Sequence, residues 1–231
     1  MITGRAIPEG APPLSDLAEV EREIAGLGAH FGFRARDSPL PGDAWRPLAD
    51  LLDGSPALAH RYEQTRIALA AGGATVPLRA AASIGHLGLV ARLLCPTIGA
   101  ALLGFRLRLE SIWWQPTLGV MPLAGSLEGL GDRDPVRDLL DGPVATLTRY
   151  TEGFSLSRKI LLGNVDSAVN GAAVAIGAVR EDLRQAAYGA ARAAGVEAGT
   201  GLGRNSCCLI YQLSAPGSPS YCGDCVLPTG R

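Results

Sequence analysis

The chain has 231 residues, 47% of them hydrophobic and 19% charged, with a formal net charge of -1 and a pI near 6.3. That length supplies one ordinary core, or one core with a small appended module. The near-neutral balance, in which Lys159 is the only lysine, offers none of the basic field expected of a protein that binds nucleic acid or an anionic membrane.

The first ten residues, Met1 to Gly10, lack the apolar core and cleavage site of a signal peptide, so the expected compartment is the cytoplasm. Ser15 to His30 predicts a first helix, with Leu17, Val20, Ile24 and Leu27 on one face and acidic residues near its start. Phe31 to Asp43, punctuated by Pro39, Pro41 and Gly42, predicts a loop, followed by a short apolar piece from Trp45 to Leu52. Ser55-Pro56 starts a second helix, because serine caps and proline at the first position gives up a donor that has no partner there. It should run to about Ala71, where Gly72-Gly73 ends it.

Val76 to Leu94 predicts a richly apolar helix, broken at Cys95-Pro96 before a short continuation to Leu103. Ile84 to Phe105 is long enough to suggest a membrane span, as is Ile160 to Val179. The first carries His86, Arg92 and Pro96 and the second Asn164, Asp166 and Asn170, so buried helices are expected and no transmembrane segment. His86 and Cys95 are expected as a hydrogen-bonded core histidine and a buried free thiol.

Phe105 to Glu110 alternates apolar and charged residues with period two, a strand pattern, and Leu118 to Leu123 is the expected partner in a hairpin. Ala124 to Asp141 should be irregular, with a short helix at Pro135 to Leu140. Further helices are predicted from Gly142-Pro143 to Tyr150, from a cap at Ser155 or Ser157 to Val179, and from Glu181 to Ala194 with Gly195 as C-cap. The glycines at 163, 171 and 177 are costly in an exposed helix, which predicts close helix-helix approach. Gly199-Thr-Gly-Leu-Gly203 follows a helix, not a strand, and predicts a linker in place of a dinucleotide loop.

Four of the five cysteines lie in the last twenty-five residues: Cys207 and Cys208, a gap of thirteen, then Cys222-Gly-Asp-Cys225. The Cys-x-x-Cys pair is a metal knuckle whose two thiolates can face one centre. Adjacent cysteines face opposite ways in an extended chain, so Cys207 and Cys208 serve one site only if the backbone turns there or the site contains two metal atoms. A 2Fe-2S cluster, with two thiolates on each iron, has that shape. A structural zinc and a pair of disulfides are the alternatives at this point. Leu209, Ile210, Leu213, Val226 and Leu227 would give such a centre apolar cover.

Cys-Cys-Leu-x-Tyr, a Pro-Gly loop and Tyr-Cys-Gly-Asp-Cys-Val-Leu together resemble the C-terminal signature of the FhuF-like ferric siderophore reductases, whose Cys-Cys and Cys-x-x-Cys pairs bind a 2Fe-2S cluster. Ser83-Ile84-Gly85-His86-Leu87 to Pro96, Leu109 to Trp114 and the stretch from Leu156 also resemble segments of that family and of related siderophore synthetases, so the resemblance spans about Ser83 to Leu227. The gap of thirteen residues is longer than the family pattern, and Pro216 to Pro219 is the expected site of the additional loop.

The resemblance implies a 2Fe-2S cluster on Cys207, Cys208, Cys222 and Cys225, and one-electron reduction of a ferric siderophore, hydroxamate-type favoured. Electrons would come from a partner protein or diffusible reductant, since no nucleotide motif is present. An iron-sulfur electron carrier or redox sensor is the alternative function. The expected fold is mainly α with a small β-hairpin: a helical body over residues 1–200 and a C-terminal cluster-binding segment over 201–231. Trp113, Trp114 and Arg158 are candidate contacts for the chelate in a cleft between the two.

Overall fold

The computed structural model describes residues 17–36, 44–73, 75–199, 204–213 and 221–227. Ser15 and Asp16, residues 37–43, Thr200 to Gly203 and residues 214–220 lie outside the described residues, and with them the expected start of the first helix, the linker and the Pro-Gly loop.

The architecture is mainly α with a small β element. Its helices are α1 (Leu17–Gly26), α2 (Pro56–Leu69), α3 (Leu78–Leu102), α4 (Pro135–Leu139), α5 (Ala145–Glu152), α6 (Arg158–Val179) and α7 (Arg184–Ala193). The strands are β1 (Arg34–Ala35), β2 (Arg46–Pro47), β3 (Phe105–Leu107), β4 (Trp113–Trp114), β5 (Leu123–Gly125) and β6 (Leu127–Gly129).

Helix α3 is the central pillar, packed against α2, α4 and α6. Leu89, Val90, Leu93, Leu94 and Ile98 are all buried there, which the residues' continuous hydrophobicity dictates. The expected break at Cys95-Pro96 does not occur. Pro96 sits inside an unbroken helix, and burial of that whole turn offsets the missing N–H. By length and composition α3 and α6 could each cross a membrane, and here they pack on one another in the core.

The buried charge of α3 has a structural use. Arg92 donates from Nε to the Met121 carbonyl at 2.7 Å, from Nη2 to the Gly32 carbonyl at 2.7 Å, and from Nη1 to the His30 carbonyl. One guanidinium thereby fastens the central helix to the segment after α1 and to the stretch that leads into β5.

The expected hairpin partners are corrected by the strand register. β3 pairs antiparallel with β6, Arg106 opposite Glu128, and those two side chains form an ion pair at 2.8 Å. The Leu118 to Leu123 stretch instead leads into β5, which pairs antiparallel with β4 and parallel with β1 in a four-stranded sheet ordered β1-β5-β4-β2. Cross-strand charge pairing favours β6 for β3, while apolar β4 and β5 cover the core.

Ser55 caps α2 and Ser157 caps α6, as expected, each accepting from a backbone N–H two or three residues on. The helix expected to open at Gly142-Pro143 is instead continuous with α4. A π turn over Leu140–Val144 takes up Pro143 and joins α4 to α5 without a break.

Candidate metal centre

The cysteine segment is seated on α6. Gly163 is the closest point: a Cβ built there would lie 2.0 Å from Ser206 Oγ. This glycine makes room for the C-terminal segment and not, as expected, for another helix. At Gly177 the neighbour is Arg184, whose side chain would crowd a Cβ at 2.9 Å, and at Gly171 nothing approaches.

Next to Gly163 in the chain, Asn164 is fully buried. Its Nδ2 donates to the Ser83 carbonyl at 2.9 Å and lies 3.5 Å from His86 Nδ1, while its Oδ1 accepts from Arg204 Nη2. His86 Nε2 lies 3.1 Å from Thr148 Oγ1. With Nδ1 accepting, the proton is on Nε2 and donates to threonine. Burial lowers the His86 pKa to about 4, so the ring is neutral. It is the core histidine expected, but one that connects α3 and α5 to the residue holding the cysteine segment.

Arg204 then bridges the two cysteine pairs. Its guanidinium Nε donates to the Ser206 carbonyl at 3.1 Å, and its backbone N–H donates to the Asp224 carbonyl at 2.9 Å. The Asp224 carboxylate in turn accepts from Ser167 Oγ of α6 at 2.6 Å. Thus Gly163, Asn164 and Ser167 form one docking face for both pairs.

The backbone turns directly after the adjacent cysteines. Leu209 adopts φ 69°, left-handed for a β-carbon-bearing residue, and its N–H donates to Cys207 Sγ at 3.3 Å. Its side chain is nevertheless in the core, which compensates a conformation costing about 1–2 kcal/mol. Cys208 is buried, and Cys207, Cys222 and Cys225 are half-buried. In the second pair Cys225 N–H donates to the Cys222 carbonyl at 3.2 Å, closing the knuckle's turn.

The Cys222 thiol is pushed well above its usual range. Burial is the largest cause, followed by hydrogen bonding with the Cys208 sulfur and then the Asp224 carboxylate. The two sulfurs are therefore neighbours across the halves. All five cysteines are free thiols. Cys95 stands apart on α3, buried, its thiol raised to about 12 by desolvation.

Among the described residues no three His, Cys, Asp or Glu side chains stand together as a ready metal-binding group. What the chain brings together is one sulfur from each half, an N–H aimed at a third sulfur, and a buried arginine whose Nη1 has no partner. Thiols as ligands and N–H groups as hydrogen-bond donors to sulfur are the chemistry that a sulfur-ligated centre uses.

The candidate chelate contacts are not brought together. Trp114 is buried at the centre of the sheet, Trp113 is half-buried beside it, and Arg158 is exposed and paired with Glu152 at 3.7 Å. The large cavity that Trp114 lines draws none of the described residues of 204–213 and 221–227. Sequence reasoning missed Asn164 and Arg204. Their only signals were a polar residue in an apolar helix and an arginine three residues before Cys207.

Fold and segment together define a mainly helical protein carrying a C-terminal four-cysteine segment. No family model, curated protein or solved structure matches the chain.

Proposed function

We propose that the chain is a cytoplasmic ferric-siderophore reductase whose Cys207, Cys208, Cys222 and Cys225 hold a 2Fe-2S cluster. When bound, such a cluster supplies one-electron storage at the protein surface. Overall, one electron from an external protein or diffusible reductant converts chelated Fe(III) to Fe(II). Only iron-ligand bonds are broken, because Fe(II) is held far less tightly by hard anionic oxygens, and a hydroxamate-type chelate is the favoured substrate.

The observation that supports this most is the joining of the two cysteine pairs on α6 by the Arg204 N–H to Asp224 carbonyl bond. The residues have distinct parts in it. Asn164 and Arg204 hold the segment, Leu209 turns the first pair, and the half-buried Cys207, Cys222 and Cys225 leave the centre near the surface. Electron transfer over a short distance requires such a position. Each ~59 mV by which the centre lies above its substrate costs tenfold in the one-electron equilibrium, so loss or capture of Fe(II) is needed to draw an uphill transfer forward.

The test is an anaerobic visible spectrum with iron and acid-labile sulfide assays, followed by a ferric hydroxamate added to the dithionite-reduced protein. Brown protein with equal iron and sulfide, reoxidised as Fe(II) appears, supports the reductase. Brown protein inert to chelates identifies a carrier or sensor, and colourless protein containing zinc removes the redox function.

A further inference from the structure

Away from the cysteine segment, a cavity of about 840 Å³ opens between the start of α2 and the loop that follows β4. Its size is that of small-molecule sites, which span roughly 300–1,000 Å³. Two arginines and two aspartates line it. Arg46 and Arg61 both line it, and neither forms an ion pair with a carboxylate among the described residues.

Arg61 is held in place. Its Nη1 donates to the Thr117 carbonyl at 2.9 Å, and its guanidinium carbon lies 5.8 Å from the centroid of the Trp114 ring. Trp114 is itself fixed, donating from Nε1 to the Pro47 carbonyl at 3.1 Å. Nε of Arg61 is buried with no partner, and burial lowers the pKa of the group. Nε is out of reach of the cavity, but the guanidinium edge that faces the cavity is a half-buried cation with no carboxylate partner among the described residues, and a planar oxyanion in the cavity would supply one.

The walls specify the rest of the occupant. Pro56, Pro116 and Leu118 offer flat apolar surface. Asp50 and Asp53 also line the cavity, and Asp53 Oδ1 is already engaged by the Ser55 N–H at 2.7 Å. Asp50, whose carboxylate has no hydrogen bond or ion pair among the described residues, is the freer of the two to accept from a donor on the occupant.

We propose that this cavity binds a small aromatic carboxylate carrying a hydroxyl or amino substituent. Arg61, aided by Arg46 at the rim, holds the carboxylate, the ring lies on the proline and leucine surface, and the substituent donates to Asp50. The site is independent of the cysteine segment and of any metal.

The experiment is a titration of the full chain with 4-hydroxybenzoate, followed by tryptophan fluorescence and by ligand-observed NMR, beside its neutral analogue 4-hydroxybenzamide. Saturable binding of the carboxylate only, weakened at least about tenfold by Arg61→Gln, is expected from loss of one charge-assisted pair. Should Arg61→Gln fail to fold, the exposed Arg46→Gln decides, with about threefold weakening expected for a rim charge. Equal binding of the amide, no saturation at millimolar carboxylate, or unchanged affinity in the decisive variant overturns the proposal. None of these outcomes depends on iron or sulfide content, so the site stands or falls separately from the reductase.

Discussion

Asn164 accepts a hydrogen bond from Arg204 with the same amide that donates to the Ser83 carbonyl, so a single buried side chain joins α3, α6 and the cysteine segment. Asn164→Ala would leave the Arg204 guanidinium buried with one partner fewer. The expected loss is about 1.5–3 kcal/mol, the range for a hydrogen bond to a charged group. Urea midpoints measure it, and Arg204→Met on the Asn164→Ala background should recover part of the loss by removing the unpaired charge. Full additivity of the two substitutions would show that they do not act on each other.

Gly163→Ala tests the docking face from the other side. Helix propensity alone favours alanine by about 1 kcal/mol. A methyl group 2.0 Å from Ser206 Oγ must displace the segment, however, and overpacking of this kind costs about 1–3 kcal/mol. Labelling of Cys208 by a thiol reagent in metal-free protein should therefore accelerate in Gly163→Ala and return towards wild type in Gly163→Ala/Ser206→Gly. Unchanged labelling would mean that Ser206 moves aside without disturbing the segment.

The helical body was legible because its signals are local. The 3.6-residue pattern of α1, the Ser55-Pro56 start of α2 and the Ser157 cap of α6 are written within a few residues each. What was not legible depends on partners distant in the chain. Period-two alternation marked β3 as a strand but could not choose between β5 and β6, a choice made by Glu128 opposite Arg106. Pro96 predicted a break that dense packing overrode. The four cysteines announced a candidate centre, whereas its seat did not, because Gly163 and Asn164 acquire their purpose only from residues forty positions later.

His86 makes the stability of the fold depend on pH. Its folded pKa is lowered from 6.5 to about 4 by burial, so between those values the unfolded chain binds the extra proton and the folded chain does not. The stabilisation is therefore fully present above pH 6.5 and is lost as pH falls towards 4, with about 3 kcal/mol at stake. His30 is shifted in the same direction, by burial and by Arg92. Urea midpoints at several values between pH 4.5 and 7 should fall on acidification, and His86→Gln should flatten that slope. An equal slope in His86→Gln would place the titration elsewhere.

The cysteine series separates ligands from bystander. Cys207→Ser, Cys208→Ser, Cys222→Ser and Cys225→Ser should each lower iron and acid-labile sulfide in the purified protein, because serine is a harder and far less acidic ligand than thiolate. Cys95→Ser should retain both, since its thiol is buried on α3 and raised to about 12, and its cost is limited to placing a hydroxyl in an apolar site, about 1–3 kcal/mol of stability. Iron loss in Cys95→Ser together with retention in Cys207→Ser would overturn the ligand set, and a uniform loss of stability in all five variants without change in iron would assign the four terminal cysteines a packing role instead.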